Sequence, residues 1–71
     1  MEKILIQILS VPYREKLIAE IQYEHYAIAE INIDNGIPEI EIFSYDEKKI
    51  IINFDEFIEV LIKAKCKLLE I

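Results

Sequence analysis

Seventy-one residues with fourteen acidic and eight basic side chains carry a net charge of −6, and 54% of the chain is hydrophobic. That hydrophobic share is too high for a disordered chain, and the acidic balance disfavours duplex nucleic acid and anionic membrane surfaces, both of which recruit Lys and Arg. A single cysteine, Cys66, and a single histidine, His25, leave no internal disulfide and no Cys/His metal cluster.

A chain of this length makes one domain, residues 1–71. Its core rarely supplies more than about 3–5 kcal/mol unaided. With disulfide and metal removed, association is the remaining source of stability, so a homodimer or higher homo-oligomer is expected. No apolar run approaches the roughly 20 residues of a membrane span. The apolar start of the chain is broken by Gln7, lacks a small-residue cleavage site and alternates like a strand. The expectation is a cytoplasmic protein with no membrane association.

The chain opens on a strand over 3–9, with Ile4, Ile6 and Ile8 on one face and Leu5, Gln7 and Leu9 on the other. A loop over 10–16 follows, where Pro12 stops the ladder. The second strand, 17–23, sets Leu17, Ala19 and Ile21 against Ile18, Glu20 and Gln22. The third, 26–33, sets Ala27, Ala29, Ile31 and Ile33 against Tyr26, Ile28, Glu30 and Asn32. Ile18-Ala19-Glu20-Ile21-Gln22 returns as Ile28-Ala29-Glu30-Ile31-Asn32, as two adjacent strands under one inside/outside constraint require. Asn35-Gly36, between alternating runs, marks a two-residue type I′ hairpin with both central residues at positive φ. Pairing centred there sets Asn32 against Glu39, Glu30 against Glu41, Ile28 against Phe43 and Tyr26 against Tyr45. On the other side Ile31 meets Ile40 and Ala29 meets Ile42. The fourth strand therefore covers 37–45. A turn at 46–48 leads to a short fifth strand, 49–52.

Asn53 then reads as a helix N-cap, with Glu56 three residues on as in a capping box and Ile52 and Phe57 as the hydrophobic staple. The helix runs over 54–70. At about 100° per residue, Ala64, Phe57, Leu68, Leu61, Phe54, Ile58, Leu69 and Ile62 share one arc of roughly 160°. Lys65 sits inside that arc and Cys66 at its edge, while Glu56, Glu59, Lys63, Lys67 and Glu70 lie opposite. The expected fold class is thus α+β, an antiparallel β-meander of four to five strands with one C-terminal helix packed on one sheet face. Ala19, Ala27 and Ala29 are small residues in strands and suit a floor pressed by Phe54, Phe57 and Leu61.

The opposite face then presents Glu20, Tyr26, Glu30, Glu39, Glu41, Phe43 and Tyr45, together with Ile18 and Ile28. Glu30 directly opposite Glu41 is an unfavourable cross-strand pair, which suggests that the face meets something cationic. A solvated face kept soluble by charge is the plain alternative, and a carboxylate cluster for a divalent metal or for acid/base work is a third. Aromatic and apolar residues rimmed by glutamate fit an interface. No phosphate loop, nucleophile elbow, HExxH or CxxC motif occurs. His25 falls in a tight turn, and Cys66 reads as a small hydrophobe on the helix.

These observations point to a small, acidic, non-enzymatic protein-binding module without cofactor or metal, engaging a basic partner through those seven residues. In size, charge and shape it is similar to antitoxins, immunity proteins and phage-encoded inhibitors of host defences, although no motif carries that comparison. The alternative is a homo-oligomer that sequesters a small ligand between its subunits.

Overall fold

The computed structural model describes residues 4–45 and 49–70. The alternating runs form β1 (Ile4–Leu9), β2 (Ile18–Tyr23), β3 (Tyr26–Asn32) and β4 (Glu39–Ile42), and the helical run forms α1 (Phe54–Leu69). Each strand lies antiparallel to the next in the order β1-β2-β3-β4, so the architecture is an α+β meander with its helix on one face of the sheet. Residue 3 of the expected first strand and the expected turn at 46–48 lie outside the described residues.

The core is where the two periods meet. Ile4, Ala19, Ile21, Ala29 and Ile31 of the sheet pack against Val60, Ala64 and Leu68 of α1. Ala19 and Ala64 are both fully buried in this core, and short side chains on β2 and α1 suit a helix seated closely over β2. From there α1 also packs on β1 and, less, on β3, but it does not pack on β4. The helix begins as expected: the Asn53 Oδ1 accepts a hydrogen bond from the Glu56 amide at 2.9 Å, and Asp55 and Glu56 place negative charge in the first turn. Such a cap contributes about 1 kcal/mol.

Four details differ from expectation. First, the pairing of β2 with β3 shifts between Ile21 and Gln22, so that Ile28 is an extra residue between Ala27 and Ala29. A bulge of this kind turns the following side chains over. Ile28 therefore joins the helix-side core, Tyr26 stands opposite Tyr23, and Ala27 stands opposite Gln22, away from the alanine floor. Second, the hairpin register through Asn32↔Glu39, Glu30↔Glu41, Ile31↔Ile40 and Ala29↔Ile42 is the expected one, but its turn is not type I′. Of the central pair only Gly36 has positive φ, at 90°, and its amide closes a turn onto the Ile33 carbonyl at 3.0 Å. Residues 33–38 are thus a loop, and β4 starts only after Pro38. The left-handed pair lies instead at Glu24 (φ 49°) and His25 (φ 77°), between Tyr23 and Tyr26.

Third, residues 49–53 form no strand. They leave the sheet to carry Ile50 and Ile52 onto the helix-side core, and the Tyr23 hydroxyl donates to the Ile51 carbonyl. Fourth, the apolar arc of α1 is rotated relative to the sheet. Phe57, Val60, Leu61, Ala64 and Leu68 face inward, while Phe54, Ile58, Ile62 and Leu69 are exposed.

Candidate docking surface

The face of the sheet turned away from α1 carries a row of side chains across all four strands. Register places Gln7 beside Glu20, Glu20 beside Glu30, and Glu30 beside Glu41. Three adjacent carboxylates would repel one another. The chain's one arginine resolves this. The 10–17 segment folds over the outer face, and the Arg14 Nε donates to the Glu30 Oε2 at 2.7 Å while its Nη2 donates to the Glu41 Oε1 at 2.8 Å. Asp34 stands 3.9 Å from the Arg14 Nη1 and accepts hydrogen bonds from the Glu15 and Lys16 amides. The Tyr13 hydroxyl donates to the other Glu30 oxygen at 2.8 Å, and its ring lies 5.7 Å from the guanidinium carbon.

Glu30 is therefore 0% exposed, as is Ile18 beside it on the same face. A planar guanidinium fork suits this task, because it bonds two carboxylates at once and never loses its charge. The hydrogen bond to Glu30 holds the Arg14 pKa above its ordinary value, with the charges of Glu30, Glu41 and Asp34 adding to it and desolvation opposing. The same Glu30 bond, with burial and the negative charge of Glu30 and Glu41, raises the Tyr13 hydroxyl, and Arg14 opposes this. Glu20 accepts from the Gln22 amide at 2.7 Å.

The seven residues expected to form one surface thus divide into two sets. Glu20, Glu30 and Glu41 form the row, with Glu30 closed off beneath Tyr13 and Arg14, and Glu39 is exposed at the start of β4, where it accepts from Asn35. Tyr26, Phe43 and Tyr45 gather elsewhere. Tyr26 and Tyr45 stack edge to face with ring centres 5.7 Å apart, the Tyr45 hydroxyl donates to the Ala27 carbonyl, and Phe43 and Tyr45 line a hollow with Ile28 and Phe57. The cause of the division is the bulge, which moves Tyr26 and Ile28 to the helix side. The expected exposed patch of Ile18, Ile28, Tyr26, Phe43 and Tyr45 does not exist, because Ile18 and Ile28 are buried on opposite faces.

The exposed apolar surface lies on the helix side instead. Because α1 sits over β2 and does not reach β4, a groove lies between them, walled at its Ile42 end by Ile50 and Ile52 of the 49–53 segment. One end is the hollow of about 450 Å³ between Ile42 and Phe57, and the other, of about 230 Å³, lies between Ile40 and the Leu61–Ile62 pair, with Glu39 and Lys65 at its edge. Ile42 is 70% exposed, Phe54 76% and Ile62 59%. None of these was singled out as a site residue from the sequence. The available signal was the breadth of the helical arc, wider than one helix can bury on one sheet.

Chemically, the carboxylate row is already satisfied by Arg14, Tyr13 and Gln22. Among the described residues no buried side-chain polar atom lacks a partner, and no three His, Cys, Asp or Glu side chains are arranged to hold a metal ion. His25 lies at the β2–β3 turn, whereas Cys66 lies near Leu68, which packs beside Leu17 at the far end of β2. Thiol and imidazole therefore lie toward opposite ends of β2. No helix among the described residues is long and apolar enough to cross a membrane. Compared with protein-family models, curated proteins and solved structures, the chain has no match in any of the three.

Proposed function

We propose that this chain is a non-enzymatic binding module that engages a basic protein partner through the groove between α1 and β4. The observation that carries this reading is the exposed apolar strip of Phe54, Ile58, Ile62, Ile40 and Ile42 on a chain of net charge −6. Isolated exposed hydrophobes are ordinary, but a contiguous strip marks an interaction surface. Each isoleucine fully buried there would contribute roughly 1.5–3 kcal/mol. The acidic balance supplies the partner's sign by steering cationic surfaces toward the module. Such a module would serve as an inhibitor or as an antitoxin- or immunity-type protein. A non-enzymatic role is supported by Glu30 and Glu41, which hold the 10–17 segment through Tyr13 and Arg14. A homo-oligomer that binds a small ligand between subunits would use the same strip, and light scattering across a concentration series separates the two.

The test is site-specific photo-crosslinking in the native cell, with the crosslinker at Ile42 or at Leu5, which is similarly exposed but on the opposite face. A basic protein captured from position 42, not from position 5, and lost on Ile62→Ser is the expected result. Equal capture from both positions, or none from position 42, would sink the proposal.

A further inference from the structure

We infer that the groove between α1 and β4 takes an amphipathic α-helix with basic flanks from that partner, an inference that rests on the binding-module reading. Strands repeat about every 4.8 Å, so β4 lies about 10 Å to the side of β2, over which α1 is centred. Packed helices sit about 8–10 Å apart. A second helix laid over β4, with one end against Ile50 and Ile52 of the 49–53 segment, would touch α1 and the sheet at ordinary packing distances. The contact on α1 is already formed for this. Phe54, Ile58 and Ile62 recur every fourth residue and all three are exposed, which is the ridge that helix-on-helix packing uses. Ile40 and Ile42 make the floor. Asp55 and Glu59 follow that ridge on the solvent side of α1, one step round the helix, and with Glu39 they outnumber Lys65 at the groove's edge, so the rim is net acidic and the incoming helix carries Lys or Arg beside an apolar stripe at i, i+3, i+4 and i+7.

A second copy of the chain fits less well. Its own α1 is already seated on a sheet, and the side opposite that sheet carries Asp55, Glu59, Lys63 and Glu70, charged side chains that would lose their water over Ile40 and Ile42. Pairing two β4 edges would set Glu39 and Glu41 against glutamates. It would also hold the two α1 helices about 24 Å apart across six strands, leaving the groove open.

The experiment uses three synthetic peptides of one Leu/Lys composition: one with leucine at helical spacing, one alternating Leu and Lys, and one with neither period. Binding is read by fluorescence anisotropy on the whole chain. The helical peptide should bind at least about tenfold tighter than the others, and Ile42→Ser and Ile62→Ser should each weaken it about tenfold. Leu5→Ser should leave it unchanged. Both isoleucines are exposed, so the melting temperatures of these variants should barely move. Tighter binding of the alternating peptide with the same Ile42 dependence would overturn the helix while leaving the binding surface standing. Equal binding of all three, indifferent to both serines, would mean charge attraction alone and remove the binding-module reading as well. A dimer seen by light scattering and broken by Ile42→Ser or Ile62→Ser would show that a second copy fills the groove, against this inference.

Discussion

Glu20, Glu30 and Glu41 stand side by side across three strands, and directly opposed like charges destabilise a sheet. Arg14 reaches Glu30 at 2.7 Å and Glu41 at 2.8 Å and turns that repulsion into a bridge. Glu30→Gln keeps the shape of the side chain and removes its charge, which weakens two hydrogen bonds at once. Urea unfolding should show a loss of about 1.5–3 kcal/mol, and an unchanged midpoint would mean that Glu30 does not seat the 10–17 segment. Glu41→Lys distinguishes the bridge from bare cross-strand repulsion. Repulsion alone predicts a gain, because the introduced ammonium would pair with Glu30. The bridge predicts a loss, because that ammonium would face the Arg14 guanidinium. Glu41 is half exposed, so the loss should stay within about 1 kcal/mol. Tyr13 adds a pH dependence. Its hydroxyl is raised above the ordinary 10.0, so the folded chain keeps a proton that the unfolded chain has lost. Its contribution is complete below that value and disappears as pH rises through the folded pKa. Thermal melts from pH 8 upward should therefore fall more steeply for the native protein than for Tyr13→Phe.

At the scale of elements, the two hairpins carry each other's expected chemistry. Asn35-Gly36 sits in a six-residue loop where only Gly36 is left-handed, and the β2–β3 hairpin places Glu24 and His25 at positive φ without glycine or asparagine. Left-handed backbone costs an ordinary L-residue roughly 1–2 kcal/mol. Replacing Glu24-His25 by Asn-Gly should stabilise the protein by about 1 kcal/mol, read as a rise in melting temperature. A fall would mean that Glu24 or His25 makes a contact worth more than the strain. The bulge at Ile28 is the other device at this scale. It brings an isoleucine into the helix-side core and frees Tyr26 to stack on Tyr45.

For the whole molecule the controlling fact is width. Four strands span about 19 Å from edge to edge including side clearance, and one helix covers about half of that. The uncovered half is the groove. Nile red, a neutral apolar dye, should brighten on the folded native protein, and the Ile42→Ser/Ile62→Ser pair should cut that signal at least by half without changing the far-ultraviolet circular dichroism. Equal brightness from the double variant would place the exposed apolar surface elsewhere.

Local periodicity was enough to determine the meander and the division of β1 and β2 into two faces, the capping pattern gave the Asn53 cap, and centring on Asn35-Gly36 gave the register of β3 on β4 even though the turn itself is not type I′, because each depends on the spacing of residues close in sequence. Cross-strand opposition of Glu30 and Glu41 was legible for the same reason, as was the need for a cation beside them. That the cation is Arg14 was not, since sixteen residues and a crossing segment separate it from Glu30. The bulge was hidden because Tyr26 and Ile28 alternate as well as any strand, and it shows only in the folded sheet, where Ile28 is buried in the helix-side core. The helix arc showed how many apolar residues α1 carries, but which half of them turns inward depends on where a cylinder about 10 Å across rests on the sheet. That placement belongs to the tertiary structure, and it is what leaves Phe54, Ile58 and Ile62 facing a bare strand.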